Sequence, residues 1–364
     1  PFTTQNPNYN PLLLPSCSMP ISLHVFGANS HYQLGTGPTT SPLRHPMSLP
    51  LSLPKSLFVG SLSLGVSHAV ALIGQAQAQH HHLVAVSHGS VSSALCQPFA
   101  RGPLAPMAEM SWALGKQSSR PLGVVASRDA SWMWNGQEVR VVGGSEVVWG
   151  RGRQGTPLPV RLTGSIATVR VCAIGAGLDH VLMLDTDGQV HGMGFTPDNQ
   201  LGDLAVAASD DPVVKVPTRL ALPTRTAIRA VAAGYDTSAA IDTTGTLYTA
   251  GLGDHGQLAR DAGTRGFAAV PSVRARRVAA GAASLTVESE SDELLTFDAR
   301  GCTSLRGPRL PLLDLSSGQG HTLAVDADGI LWGWGTNADG CLGLGEDVPD
   351  DTVLNQPTKI PLEE

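Results

Sequence analysis

Residues 318–343 read Gly318-Gln-Gly-His321-Thr-Leu-Ala-Val325-Asp-Ala-Asp328-Gly329-Ile-Leu-Trp-Gly-Trp334-Gly335-Thr-Asn-Ala-Asp-Gly-Cys341-Leu342-Gly343, and three elements of this stretch recur elsewhere at fixed spacing. Gly177-Leu-Asp-His180 and Gly234-Tyr-Asp-Thr237 match its opening, Asp187-Gly188 and Thr244-Gly245 match Asp328-Gly329, and Met193-Gly194 and Ala250-Gly251 match Trp334-Gly335. In all three copies the opening Gly stands 17 residues before the closing Gly, and the middle Gly stands six before it. Six residues further on come Gln200-Leu-Gly, Gln257-Leu-Ala and Cys341-Leu-Gly, and Phe26-Gly27 leads to Gln33-Leu34-Gly35 in the same way.

A polar residue followed by Gly between apolar runs such as Val181 to Leu184 and Leu323 to Val325 marks a tight hairpin, because such a turn needs positive φ. One unit therefore reads strand, Gly-x-x-His, strand, turn, strand ending in an aromatic and Gly, long loop, and an outer strand introduced by Pro. That is a four-stranded antiparallel blade. Weaker copies open at Gly65-Val-Ser-His68, at Ser127-Arg-Asp-Ala130 with Asn135-Gly136 as its turn, and at Gly281-Ala-Ala-Ser284 with its strand ending at Phe297-Asp298. Openings at 65, 127, 177, 234, 281 and 318 give a pitch of roughly 50 residues, the range of propeller blades. The sequence predicts an all-β, seven-bladed propeller as a single domain over 21–361, with a disordered leader at 1–20 and a tail at 362–364.

Seven closing strands, near Phe26, Val86, Trp149, Met193, Ala250, Phe297 and Trp334, stand against six openings. The N-terminal strands within 21–53 thus belong to a closing blade that lacks its first two strands. Either a short C-terminal piece is absent from this chain or the closing blade is incomplete.

The repeat, with its aromatic-Gly, Gln-Leu-Gly, Gly-x-x-His and Asp-Gly elements, resembles that of the regulator of chromosome condensation superfamily. The resemblance covers about residues 21 to 361, is specific in four copies, and is poor over 75 to 165. It implies a seven-bladed β-propeller whose ring closes by pairing N-terminal with C-terminal strands. With no Lys or Arg in residues 1 to 18 and no insertion like the wedge of the nuclear exchange factor, the chain looks more like the fungal alpha-tubulin-suppressor branch. That likeness implies a non-enzymatic adaptor, cytoplasmic and also nuclear, with one small partner: the CSL-type zinc protein of diphthamide synthesis. Such an adaptor supports diphthamide formation and Elongator-dependent modification of tRNA wobble uridine. The alternative it implies is a guanine-nucleotide exchange factor for a Ran-like small GTPase, engaged by the mouth loops; Asp179, in its Asp-His context, matches that pattern best.

Composition agrees with many short strands and narrows the chemistry. Charged residues are 15%, aromatics 5%, Gly 41 and Pro 26, so the core rests on Val, Leu, Ala and Ile. A net charge of -6 argues against a protein built to grip phosphates, and no apolar run reaches the roughly 18 residues of a membrane helix. Cys17, Cys96, Cys172, Cys302 and Cys341 are odd in number, dispersed and without C-x-x-C, which fits neither a disulfide framework nor a zinc site and suits a reducing compartment. His80, His81 and His82 are adjacent and do not converge on one ion. Gly150, Gly152 and Gly155 lack the helix a dinucleotide loop needs, and no nucleophile elbow is present. The sequence therefore predicts no catalytic residue, cofactor or metal and no direct nucleic-acid contact. Arg274, Arg276 and Arg277, like Glu346, Asp347, Asp350 and Asp351, read as solvated surface.

The structural repeat positions are Gly65, His68, Gly177, His180, Gly194, Gly234, Gly251, Gly318, His321 and Gly335, with the histidines tying strands and the glycines allowing close approach or positive φ. Asp129, Asp179 and Asp236 share one offset, two after each opening, and should project at one mouth of the ring as a partly acidic surface. Trp112, Trp132 and Trp134, in the most divergent region, are the remaining candidates for partner contact if exposed, although burial is the stronger expectation for two of them.

Overall fold

The computed structural model describes residues 2–3, 23–27, 41–49, 57–64, 69–75, 123–128, 130–143, 156–204, 210–261 and 263–362. A short strand β1 (Phe2–Thr3) precedes blade 1, which comprises β2 (Leu23–Gly27) and β3 (Leu43–Leu49). Blade 2 has β4 (Leu57–Leu64) and β5 (Ala69–Gln75). Blade 3 has β6 (Gly123–Ala126), β7 (Ala130–Trp134), β8 (Val139–Gly143) and β9 (Thr156–Arg161). Blade 4 has β10 (Val171–Ala176), β11 (His180–Asp185), β12 (Val190–Phe195) and β13 (Val213–Arg219). Blade 5 has β14 (Ile228–Ala233), β15 (Thr237–Asp242), β16 (Thr246–Gly251) and the first part of β17 (Ala268–Ala280). The rest of β17 is the inner strand of blade 6, followed by β18 (Leu285–Ser289), β19 (Leu294–Asp298) and β20 (Gly301–Leu305). Blade 7 has β21 (Asp314–Ser317), β22 (His321–Val325), β23 (Leu331–Thr336) and β24 (Val353–Lys359).

Every pairing is antiparallel between neighbours in sequence, apart from β1, whose Phe2 lies opposite Ser317 on the inner edge of β21. The all-β propeller read from the repeats is the observed architecture, with seven blade positions. Among the described residues blade 1 has two strands, β2 and β3. Gly65, His68, Trp112, Asp129, His80, His81 and His82 lie outside the described residues.

Blades stack face to face, and this sets the burial pattern. All six residues of β11 and of β15 are buried, since a second strand has a neighbouring blade on each face. The outer strands β13 and β24 are mostly exposed and carry Lys215, Pro217 and Pro357, which discourage pairing with another edge.

The glycines divide by cause. Gly188, Gly245 and Gly329 take φ of 75°, 83° and 80° in the hairpins, as the turn demands. A Cβ on Gly177 would land on the carbonyl oxygen of Gly234, and one on Gly234 on that of Gly281, so the opening turns of successive blades touch backbone to backbone.

Two surface readings are corrected, and the burial expected for two of the tryptophans is found. Arg274, Arg276 and Arg277 are not merely solvated. Arg274 donates to the Thr244 carbonyl at 2.9 Å, and Arg276 and Arg277 both pair with the fully buried Glu288, at 2.8 and 3.1 Å. The acidic stretch after Gly345 is no merely solvated loop, because Arg44 of β3 pairs with Asp350 and, at 3.3 Å, with Glu346. Trp132 and Trp134 are 1% and 0% exposed and offer nothing to a partner; their indole N–H groups are satisfied within the core, by Ser127 Oγ and by the Cys172 carbonyl of blade 4. No helix among the described residues is long and apolar enough to cross a membrane.

Candidate protein-docking face

The turns between first and second strands all emerge at one end of the ring. Each is held by two backbone bonds: Gly177 N–H donates to His180 O, Gly234 to Thr237 O and Gly318 to His321 O, while the carbonyls of Asp179, Asp236 and Gly320 accept from Phe195, Leu252 and Thr336. The third residue of the turn is therefore fixed at the mouth whatever its side chain. The turns also join one another, with Arg128 N–H donating to Leu178 O and Leu178 N–H to Tyr235 O.

Upon this rim Arg128 of blade 3 reaches Asp179 of blade 4 at 2.7 Å. Asp236 of blade 5 is half-buried, and burial first, then the negative charge of Asp198, pushes its pKa up although Arg128 acts the other way. Asp198, on the long loop of blade 4, is raised by burial and by Asp254 of the corresponding loop in blade 5. The sequence reading thus placed Asp179 and Asp236 on one surface. It missed Arg128, which anchors them, and Asp198 and Asp254, which extend the negative surface. Among the described residues, Arg128 thus pairs with Asp179 and acts on Asp236, while Asp198 and Asp254 add negative charge beside Asp236.

His180 does not face this surface. It is buried, its Nε2 lies 2.9 Å from Ser238 Oγ of the next blade, and burial lowers its pKa to about 4. His321, at the same position in blade 7, is lowered to about 3, chiefly by burial. Both rings are neutral, and His180 ties its strand to the next blade. Burial raises the thiols of Cys172, Cys302 and Cys341, the last to about 12, so all three stay protonated and poorly nucleophilic. Among the described residues no three His, Cys, Asp or Glu side chains gather as a metal site.

A further repeat position escaped the sequence reading. Asp185 and Asp242 end their second strands and Asp326 directly follows its own, and each Oδ1 accepts backbone N–H groups two and four residues on, at 2.9 to 3.0 Å. The other oxygen of each meets the side chain six residues on: His191 Nε2, Tyr248 OH or Trp332 Nε1, at 2.9, 3.1 and 2.8 Å.

The regulator of chromosome condensation (RCC1) repeat matches the chain at residues 228–257, 313–341 and 328–364. No curated protein matches it in sequence. Among solved structures, it is similar to Prp20p from Saccharomyces cerevisiae, studied for its binding to Gsp1p and histones, with a TM-score of 0.77 and 20% identity over 94% of this chain and 86% of that one. Human WBSCR16 superposes with a TM-score of 0.76 and 18% identity over 94% and 95% of the two chains. Yeast RCC1 (Prp20) bound to Kap60 gives 0.76 and 20% over 94% and 84%. The chain carries RCC1 repeats, and its fold is the RCC1-type β-propeller.

Proposed function

We propose that this chain is a non-enzymatic adaptor that binds a small partner protein on the face formed by its opening turns. The observation that carries the reading is the acidic surface at Asp179 and Asp236 on the opening turns, extended by Asp198 and Asp254 on the neighbouring loops, with Arg128 beside it. A fixed surface of one sign steers a partner of the opposite sign and fixes its register. The partner is then a small protein with a basic patch, and the resemblance read from the sequence names the CSL-type zinc protein of diphthamide synthesis, through which the adaptor supports diphthamide formation and Elongator-dependent tRNA modification. A second reading, nucleotide exchange on a Ran-like GTPase, is favoured by the likeness in fold to Prp20p, whose binding to Gsp1p has been studied.

Titration calorimetry with the purified zinc protein, run beside nucleotide release from the GTPase, separates the two. The adaptor reading expects binding of the zinc protein, weakened about tenfold by Asp254→Lys on the exposed rim, and no faster nucleotide release. Accelerated release without binding of the zinc protein would overturn it in favour of exchange.

A further inference from the structure

The opposite end of the ring carries a separate cleft. A cavity of about 570 Å³ opens between the hairpin Asp187-Gly188-Gln189 of blade 4 and the linker 220–227 that leads into blade 5. Val190, Leu220 and Ile228 are buried beneath it, and the apolar side chains that reach the cleft are the exposed Ala221 and the half-buried Leu222. Arg219 and Arg225 stand on the linker side and Asp187 on the hairpin side. Arg219 reaches the Gln189 side chain, while Arg225 is exposed and has no hydrogen bond or ion pair among the described residues.

The cleft is built rather than incidental. The Ile228 N–H donates to the Gly188 carbonyl at 2.9 Å and the Leu220 N–H to the Val190 carbonyl at 2.8 Å, so both ends of the linker are pinned to the hairpin and its neighbour. Midway, the Thr226 hydroxyl donates to Asp242 at 2.7 Å. At the next junction the linker is missing, because β17 runs straight from blade 5 into blade 6. A pinned loop loses little freedom when a ligand arrives.

We propose that this cleft binds an extended acidic segment of a partner protein. A carboxylate of the segment pairs with Arg225 and Arg219, and a neighbouring aliphatic side chain lies against Ala221 and Leu222 of the linker. Two guanidiniums on a mainly polar cleft match that chemistry, since Arg presents paired donors to a carboxylate and their charge outweighs Asp187 across the cleft. The site lies on the face away from Asp179 and Asp236, so it stands whether or not the reading of that face holds.

The test is fluorescence anisotropy of the full chain with a fluorescein-labelled peptide Gly-Leu-Glu-Leu-Glu-Gly and with its counterpart carrying Lys in place of Glu. The acidic peptide should bind about tenfold more tightly than the basic one, weaken as salt rises, and lose about tenfold on Arg225→Glu. Arg306→Glu, an exposed arginine elsewhere, should leave the affinity unchanged, and both variants should melt with the parent protein. Equal binding of the two peptides, an equal loss in both variants, or displacement of the acidic peptide by an oligouridine of the same charge as effectively as by unlabelled peptide would overturn the proposal.

Discussion

His180 shows how a single side chain carries a pH dependence into the whole ring. Its imidazole is buried between blades with Ser238 as partner, and desolvation holds its pKa near 4 against an ordinary 6.5. The unfolded chain takes up its proton near pH 6.5 and the folded chain only near 4. Stability from this group is therefore complete above about 6.5 and falls as the pH drops towards 4, at about 1.4 kcal/mol per unit. His321, lowered to about 3, acts in the same direction and extends the fall. Urea midpoints measured at several pH values between 7 and 4.5 should decline less steeply in His180→Gln than in the parent protein. Parallel curves for the two would mean that His180 is not the group responsible.

The hairpins teach a lesson at the scale of the element. Reading Asp187-Gly188 and Asp328-Gly329 located the turns correctly, and Gly188 and Gly329 do take positive φ. What holds each turn, however, is the aspartate at the end of the preceding strand, which accepts two backbone donors and one side-chain donor. The last donor is His, Tyr or Trp in the three blades, so the position shares a chemistry and not a residue, and spacing alone does not reveal it. In Asp242 burial pushes the pKa up, but hydrogen bonds from Thr244, Thr226 and the local backbone outweigh it and lower it to about 2. Removing the equivalent carboxylate of blade 4 leaves the buried His191 ring and two part-buried backbone N–H groups without their acceptor. Asp185→Ala should destabilise the protein by about 3 kcal/mol, seen as a lower denaturation midpoint with unchanged slope. A change within about 0.5 kcal/mol would show that water replaces the aspartate at no loss.

Across the whole molecule, the ring brings together residues far apart in sequence. Arg44 pairs with Glu346 and Asp350, the Gly345 N–H donates to the Arg44 carbonyl at 2.8 Å, and a Cβ on Gly343 would press on the Phe26 ring. Blade 1 thus docks on blade 7 as each blade docks on its neighbour. Arg44→Glu, which sets like charges against each other here, should raise hydrogen exchange in residues 43–49 by about tenfold while leaving residues 228–305 protected. Equal exchange in both proteins would assign closure to the glycine contacts alone.

By itself the sequence determined the blades, because hairpin turns, alternating strands and close backbone contacts each demand particular residues at particular spacings. It also determined that Asp179 and Asp236 share a face, since equal offsets in equal repeats map to equal places on a ring. Only the tertiary structure decided which charges are free. Whether Arg276 meets Glu288, Arg44 meets Asp350 or Arg128 meets Asp179 depends on which strands the ring sets side by side, and Trp132 and Trp134 turned inward because backbone and hydroxyl acceptors lay within the core. Local spacing encodes turns and strands; charge pairing and burial arise from contacts between segments that have no fixed spacing in the chain.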